Sequence, residues 1–389
     1  MANSSPEFLY AAKDNAQGQT TVSFTTSGEN TRIYEFAFSP DGKWLAYIGQ
    51  EANGDARALY VAPAAGGSAP VRVSQPSPAP YQWVSDFDWS PDSEQLVYSG
   101  NFDQPLPYED AIETYVVDRD GANRKKVSGS IIGGGRPVVE VRNPEYSSGG
   151  ALLLTEVAHL ASGTGDGAAY PFGLNIYPVN TAPAGGFRLV EMPSGIVANQ
   201  QWSPDGEKVC YFFTSGAPLF YIGVSDVAKG SANYVSLGDL ANINSQCRWS
   251  AGSDAVAYLD QTAVGGPANL VVQNADRSGR ITVAGLASAG RTIGQCDWMP
   301  NSSDVLAYIA DADTANVMEL YVKNKSGGAA TKINVSLIVT GDVLEFKWSP
   351  DRSKIAYLAD AEVNGEVQLY VSGPGGENKI KISDFRSGE

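Results

Sequence analysis

Histidine is nearly absent from the 389 residues, and cysteine is scarce: one His, at 159, and three Cys, at 210, 247 and 296. A single imidazole excludes histidine-rich metal centres. It also leaves His159 as the one possible base for a Ser-His-acid triad, and no G-x-S-x-G elbow accompanies it. Three widely spaced cysteines form no disulfide framework, and no Cys-x-x-Cys pair suggests zinc. They are expected as buried free thiols. No apolar run nears the roughly 20 residues of a membrane span, and MANSSPEFLYAAKD lacks the apolar centre of a signal peptide. No stretch keeps a 3.6-residue apolar period between helix caps, so helical repeats are excluded. Basic residues are outnumbered, 27 Lys and Arg against 43 Asp and Glu, for a net charge of −16. Nucleic acid and anionic membranes need clustered bases, so neither is an expected partner. The balance fits a soluble periplasmic, secreted or cell-surface protein, in mature form or as an excised domain.

Turn formers and strand formers are plentiful: 42 Gly, 22 Pro, 19 Tyr and 7 Trp. They recur in order. FAFSPDGKWLAYIG, from Phe36 to Gly49, reads as strand, tight turn and strand. Pro presets φ at the first corner, Asp bonds backbone further along, and Gly tolerates positive φ. The stretch returns as FDWSPDSEQLVYSG, PEYSSGGALLLTEV, QQWSPDGEKVCYFF, CRWSAGSDAVAYLD, CDWMPNSSDVLAYIA and FKWSPDRSKIAYLAD. Its anchoring aromatics are Phe38, Trp89, Tyr146, Trp202, Trp249, Trp298 and Trp348, spaced by 47 to 57 residues. A second strand pair follows each hairpin, as in ELYVKNKSGGAATKINVS. Four short strands per repeat of about fifty residues predict an all-β chain folded as a single β-propeller of four-stranded antiparallel blades.

The chain ends bear on the blade count. SSPEFLYAAKDNAQGQTTVSFTTSG lines up with SPDRSKIAYLADAEVNGEVQLYVSGPGG but lacks a first strand. The tail, Ser383-Asp384-Phe385-Arg386, matches the first-strand opening Ser85-Asp86-Phe87-Asp88. Eight blades are expected over 1–389. Blade one combines 5–34 with 383–389 and closes the ring, and blades two to eight start near 35, 86, 143, 199, 246, 295 and 345. Seven blades with an extra hairpin is the alternative.

The pattern W-S-P-D-G-x-x-[LIV]-A-Y, followed by [EQ]-L-Y-V and a Gly turn, resembles the TolB-type, WD-repeat-like propeller repeat. That repeat occurs in bacterial exported proteins and in the propellers of prolyl-oligopeptidase-type peptidases. The resemblance spans the chain and implies fold, not function. TolB carries a separate α/β domain before its propeller, and the peptidases carry a hydrolase domain. This chain has neither.

Candidate chemistry sits where repeats differ. Glu35, Asp86, Asp88, Glu145, Asp297 and Glu345, with Arg248 and Lys347, cluster just before the anchoring aromatics. On innermost strands they would line the channel, where they could bind a cation, raise one another's pKa or pair with the bases. Asp311, Asp313 and Asn316 have the oxygen spacing of a weak calcium loop, echoed by Asp360, Glu362 and Asn364. Ca²⁺ is thus the one cofactor the sequence suggests. The long loops hold Tyr81, Trp83, Phe102, Tyr108, Glu109, Asp110, Tyr170 and Phe172. Aromatics beside carboxylates suit a protein or carbohydrate surface. Cys247 and Cys296 hold equivalent positions on adjacent repeats, beyond the about 7 Å a disulfide spans. The expected function is a non-enzymatic binding platform. An architectural, self-assembling subunit is the alternative, followed by a hydrolase or lyase using channel carboxylates.

Overall fold

The computed structural model describes residues 32–50, 57–76, 83–102, 112–128, 140–160, 169–180, 186–191, 197–214, 220–232, 234–241, 247–261, 268–286 and 291–382, plus strand pairs 10–11 with 20–21 and 132–133 with 136–137. Within them lie seven four-stranded antiparallel units, here sheets one to seven, of which four and five are joined into one eight-stranded sheet by the pairing of Ala241 with Asp260. They run from Arg32 to Arg72, Val84 to Lys126, Glu140 to Glu191, Val197 to Ala241, Arg248 to Gly285, Ile293 to Lys332 and Val343 to Lys381. Each pairs its strands in sequence order, the meander of a propeller blade. One 3-10 turn, Val227–Ala232, is the helical element among the described residues. No helix there is long and apolar enough to cross a membrane. The chain divides into two compact units, Met1–Ile196 and Val197–Glu389.

The Ser-Pro-Asp-Gly turn holds through a hydroxyl as much as through Pro and Gly. Ser39 Oγ donates to Asp41 Oδ1 at 2.6 Å and accepts from Trp44 N at 3.0 Å. The same pair of bonds forms at Ser90, Ser203 and Ser349. Ser39 and the Lys43 backbone hold the Asp41 carboxyl down at about 2. Gly42 has φ of 70°, as the turn requires. Ser93 and Ser253 replace that glycine, yet keep positive φ, 66° and 58°. Their hydroxyls explain the substitution. Ser93 Oγ accepts from Asp41 N at 3.1 Å, and Ser253 Oγ from Asp205 N at 3.0 Å, each clasping the preceding sheet's turn.

The anchoring aromatics are inter-sheet bolts. Trp89 Nε1 donates to Ala37 O, Trp249 Nε1 to Gln201 O and Trp298 Nε1 to Arg248 O, at 2.9–3.2 Å. Apolar cores fill the same seams. Ile48, Leu59 and Val61 of sheet one meet Trp89, Leu96 and Tyr98 of sheet two. In the second unit, Leu259 and Leu270 of sheet five meet Trp298 and Tyr308 of sheet six.

One expectation is corrected. Cys210, on the second strand of sheet four, is bonded to Cys247 at the start of sheet five. The expectation compared equivalent positions on neighbouring repeats. The bridge instead joins unlike positions that face each other across a seam. Cys296 is the remaining thiol, buried, and burial pushes it up to about 12.

Candidate functional site

The loop-end candidates separate by burial. Phe102 is not a contact residue. It folds back under Tyr98 and Tyr115, edge-on at 6.1 and 6.0 Å. Gly100 makes room for it: a Cβ there would lie 2.4 Å from the Phe102 ring and 2.7 Å from Trp83 O. Trp83 stays partly exposed just ahead of the first strand of sheet two. Its backbone is clamped, with N donating to Asn101 Oδ1 at 2.7 Å and O accepting from Asn101 N at 3.3 Å. Tyr81, Tyr108, Glu109 and Asp110 lie outside the described residues. Tyr170 and Phe172 fall on Ala169–Pro178, with Tyr170 opposite His159 in register, and their side chains are outside the description.

Two residues that the sequence did not single out complete the surface around Trp83. Tyr34 is the extra residue of a β-bulge between Ile33 and Glu35. Bulges re-aim a side chain. This one leaves Tyr34 exposed, with its hydroxyl donating to Gln50 Oε1 at 2.8 Å. Arg57, which opens the third strand of sheet one, lays its guanidinium 4.0 Å from the Tyr34 ring centroid and 5.8 Å from that of Trp83. Its carbonyl accepts from Val84 N at 3.1 Å, which fixes its backbone to sheet two. The one available signal was compositional: a lone base ending the acidic stretch Glu51-Ala-Asn-Gly-Asp-Ala-Arg57.

The carboxylates before the aromatics behave differently in each unit. In the first unit Glu35, Asp86, Asp88 and Glu145 are electrostatically coupled on the first strands of sheets one to three. Burial, reinforced by Asp88 and Glu156, raises Glu145 to about 8. Partial desolvation, then Asp86 and Asp88, raises Glu35 to about 6. Burial also raises Asp88, against two backbone hydrogen bonds. Those bonds give Asp88 a structural role. Its oxygens accept from Trp89 N at 2.9 Å and Tyr146 N at 3.0 Å, joining sheets two and three. In the second unit charges alternate. Burial raises Asp297, and Arg248 opposes that rise. Lys347 stands 3.5 Å from Glu345, both exposed. A neutral carboxyl beside ionised ones has the makings of a general acid. Here the partner Asp88 is committed to backbone, so the pattern follows from strand packing.

Asp311 and Asp313 are each engaged within the protein. Buried Asp311 accepts from Thr292 N at 2.7 Å and Asn316 N at 3.2 Å, which braces its own loop. Asp313 pairs with Lys332 at 2.7 Å. Among the described residues no group of three or more His, Cys, Asp or Glu could hold a metal ion.

No family model matches this chain, and no curated protein matches it. Among solved structures it is similar to a prolyl endopeptidase, one of two studied for inter-domain dynamics in catalysis and specificity, with TM-score 0.57 and 12% identity over 90% of this chain and 49% of that one. The chain thus spans about half the length of that peptidase. It is also similar to TolB from Acinetobacter baumannii, with TM-score 0.40 and 17% identity over 70% of this chain and 58% of that one. A third neighbour is the β-propeller domain of the Trilobed protease from Pyrococcus furiosus, with TM-score 0.47, 10% identity and coverage of 92% and 99%. At such identities the likeness concerns fold alone.

Proposed function

We propose that this chain is a non-enzymatic, exported binding platform that holds a protein partner at Tyr34, Arg57 and Trp83. The observation that carries the reading is the Arg57 guanidinium held over an exposed tyrosine beside a partly exposed tryptophan. Tyr, Trp and Arg dominate the binding energy of protein interfaces. Here the backbones of Arg57 and Trp83 are both hydrogen-bonded in place, so little ordering remains to be paid on binding. Tyr81, Tyr108, Glu109, Asp110, Tyr170 and Phe172 would extend the surface. The Cys210–Cys247 bridge supports an oxidising compartment, periplasmic, secreted or cell-surface. Trp83→Ala should deplete the proteins captured from a cell-envelope extract, relative to wild type. Recovery of the same set in the same amounts would overturn the reading.

The fold proposed with it has eight blades, blade one being built from 5–34 and 383–389, with the first-strand charges on the channel. Two apolar faces support it, one in each unit. Phe36 and Phe38 of sheet one are 57% and 56% exposed, whereas their counterparts in sheet two, Phe87 and Trp89, are buried. Ile382, just past the last strand of sheet seven, is 56% exposed, whereas its counterpart Ile333 in sheet six is fully buried. A further blade would cover faces of this kind. Deleting 383–389 should lower the thermal transition by several degrees, and an unchanged transition would refute closure.

A further inference from the structure

We infer that the open edge of the Arg57 guanidinium receives a carboxylate from an acidic peptide segment of the partner. This rests on the platform reading and adds the chemistry of what is bound. A guanidinium whose face lies on an aromatic ring keeps its N–H donors at the edge, in a planar fork that matches a carboxylate in two parallel bonds. The Arg57 guanidinium carbon lies 4.0 Å from the Tyr34 ring centroid, a separation at which such stacking occurs. Arg119 pairs with Glu94 and Arg280 with Asp260, whereas Arg57 lies over two aromatic rings. Arg57 forms no ion pair among the described residues and is exposed.

The surrounding charge narrows the ligand. At a net −16 the protein repels polyanions at long range, so an extended acidic surface or nucleic acid is disfavoured. A single carboxylate on a short segment meets the local cation without that cost, while Tyr34 and Trp83 offer apolar ring surface for its neighbouring side chain. Lysine would not serve, since it lacks both the fork and the flat face.

The probe is a displayed library of random linear peptides, selected against wild type and against Arg57→Gln. The expected result is enrichment with wild type of sequences carrying Asp or Glu at one fixed position, and loss of that preference with the variant. The best wild-type peptide, synthesised, should bind Arg57→Gln and Arg57→Lys at least about tenfold more weakly, and its amide counterpart, Asn for Asp or Gln for Glu, should weaken equally. Enrichment without an acidic position overturns the carboxylate and leaves the platform standing. No enrichment with wild type overturns the acidic-peptide assignment, and the Trp83→Ala capture decides the platform separately. Polygalacturonate is titrated in parallel: Arg57-dependent binding of this acidic polysaccharide, with no peptide enriched, overturns the peptide assignment. Circular dichroism of both variants matching wild type keeps loss of binding distinct from loss of fold.

Discussion

Glu145→Gln should stabilise the protein strongly at pH 8 and by less than about 1 kcal/mol at pH 5. The folded carboxyl titrates at about 8 and its ordinary value is 4.5, with burial as the main cause. Between those values the folded chain keeps a proton that the unfolded chain gives up, so stability falls as pH rises through the window. Below 4.5 both states hold the proton and nothing is lost. Above 8 the full penalty applies, with a ceiling of about 4 to 5 kcal/mol for a shift of this size. Glutamine imitates the protonated carboxyl and cannot ionise, so the variant should escape the loss. Urea midpoints at pH 5, 6, 7 and 8 measure it: a falling wild-type series against a flatter variant series is the expected result. Parallel series would refute the burial of Glu145 in neutral form. Acid effects are separable, because Asp41 and Asp351 are held down at about 2 by turn hydrogen bonds and lose their contribution only below the usual carboxylate range.

Repetition made much of the fold legible in the sequence. Seven copies of one hairpin, each followed by a second strand pair, correspond to seven four-stranded units because turn chemistry is local. Contacts between unlike parts of different repeats were not legible. The roles of Ser93 and Ser253 depend on the N–H that a neighbouring repeat's turn supplies, and no single repeat shows it. Phe102 looked like a loop aromatic, and its core partners Tyr98 and Tyr115 lie on two other strands. Asp311, Asp313 and Asn316 carry an oxygen spacing that a bracing aspartate and a calcium ligand share. The donors that decide between them, Thr292 N and the Lys332 ammonium, lie about twenty residues away in either direction. For the site, Trp83 was visible as a loop aromatic. Tyr34 and Arg57 were hidden, because a bulge turned one and a seam positioned the other.

Cys247→Ala should destabilise the protein by about 3 to 4 kcal/mol, the loop-closure entropy for a sequence separation of 37 residues. Reduction under native conditions should lower the thermal transition in wild type and leave the variant unmoved. Equal transitions for oxidised and reduced wild type would refute the bridge. The repeat makes a second, sharper demand. Cys210 stands opposite Gln201, one residue before Trp202, and Ala257 stands opposite Arg248, one residue before Trp249. Cys247 and Cys296 each lie two residues before the anchoring tryptophan of the following sheet. Ala257 thus holds the position toward Cys296 that Cys210 holds toward Cys247, and the two share one buried core, although among the described residues only sheets four and five are also joined by strand pairing. If the seams are equivalent, Ala257→Cys should oxidise onto Cys296 without rearrangement. Thiol titration of unreduced, denatured protein settles it: one reactive thiol is expected in wild type, from Cys296, and none in the variant. Two thiols in the variant would mean that the seam between sheets five and six is built differently from that between sheets four and five, and that the cysteine pairing belongs to one seam alone.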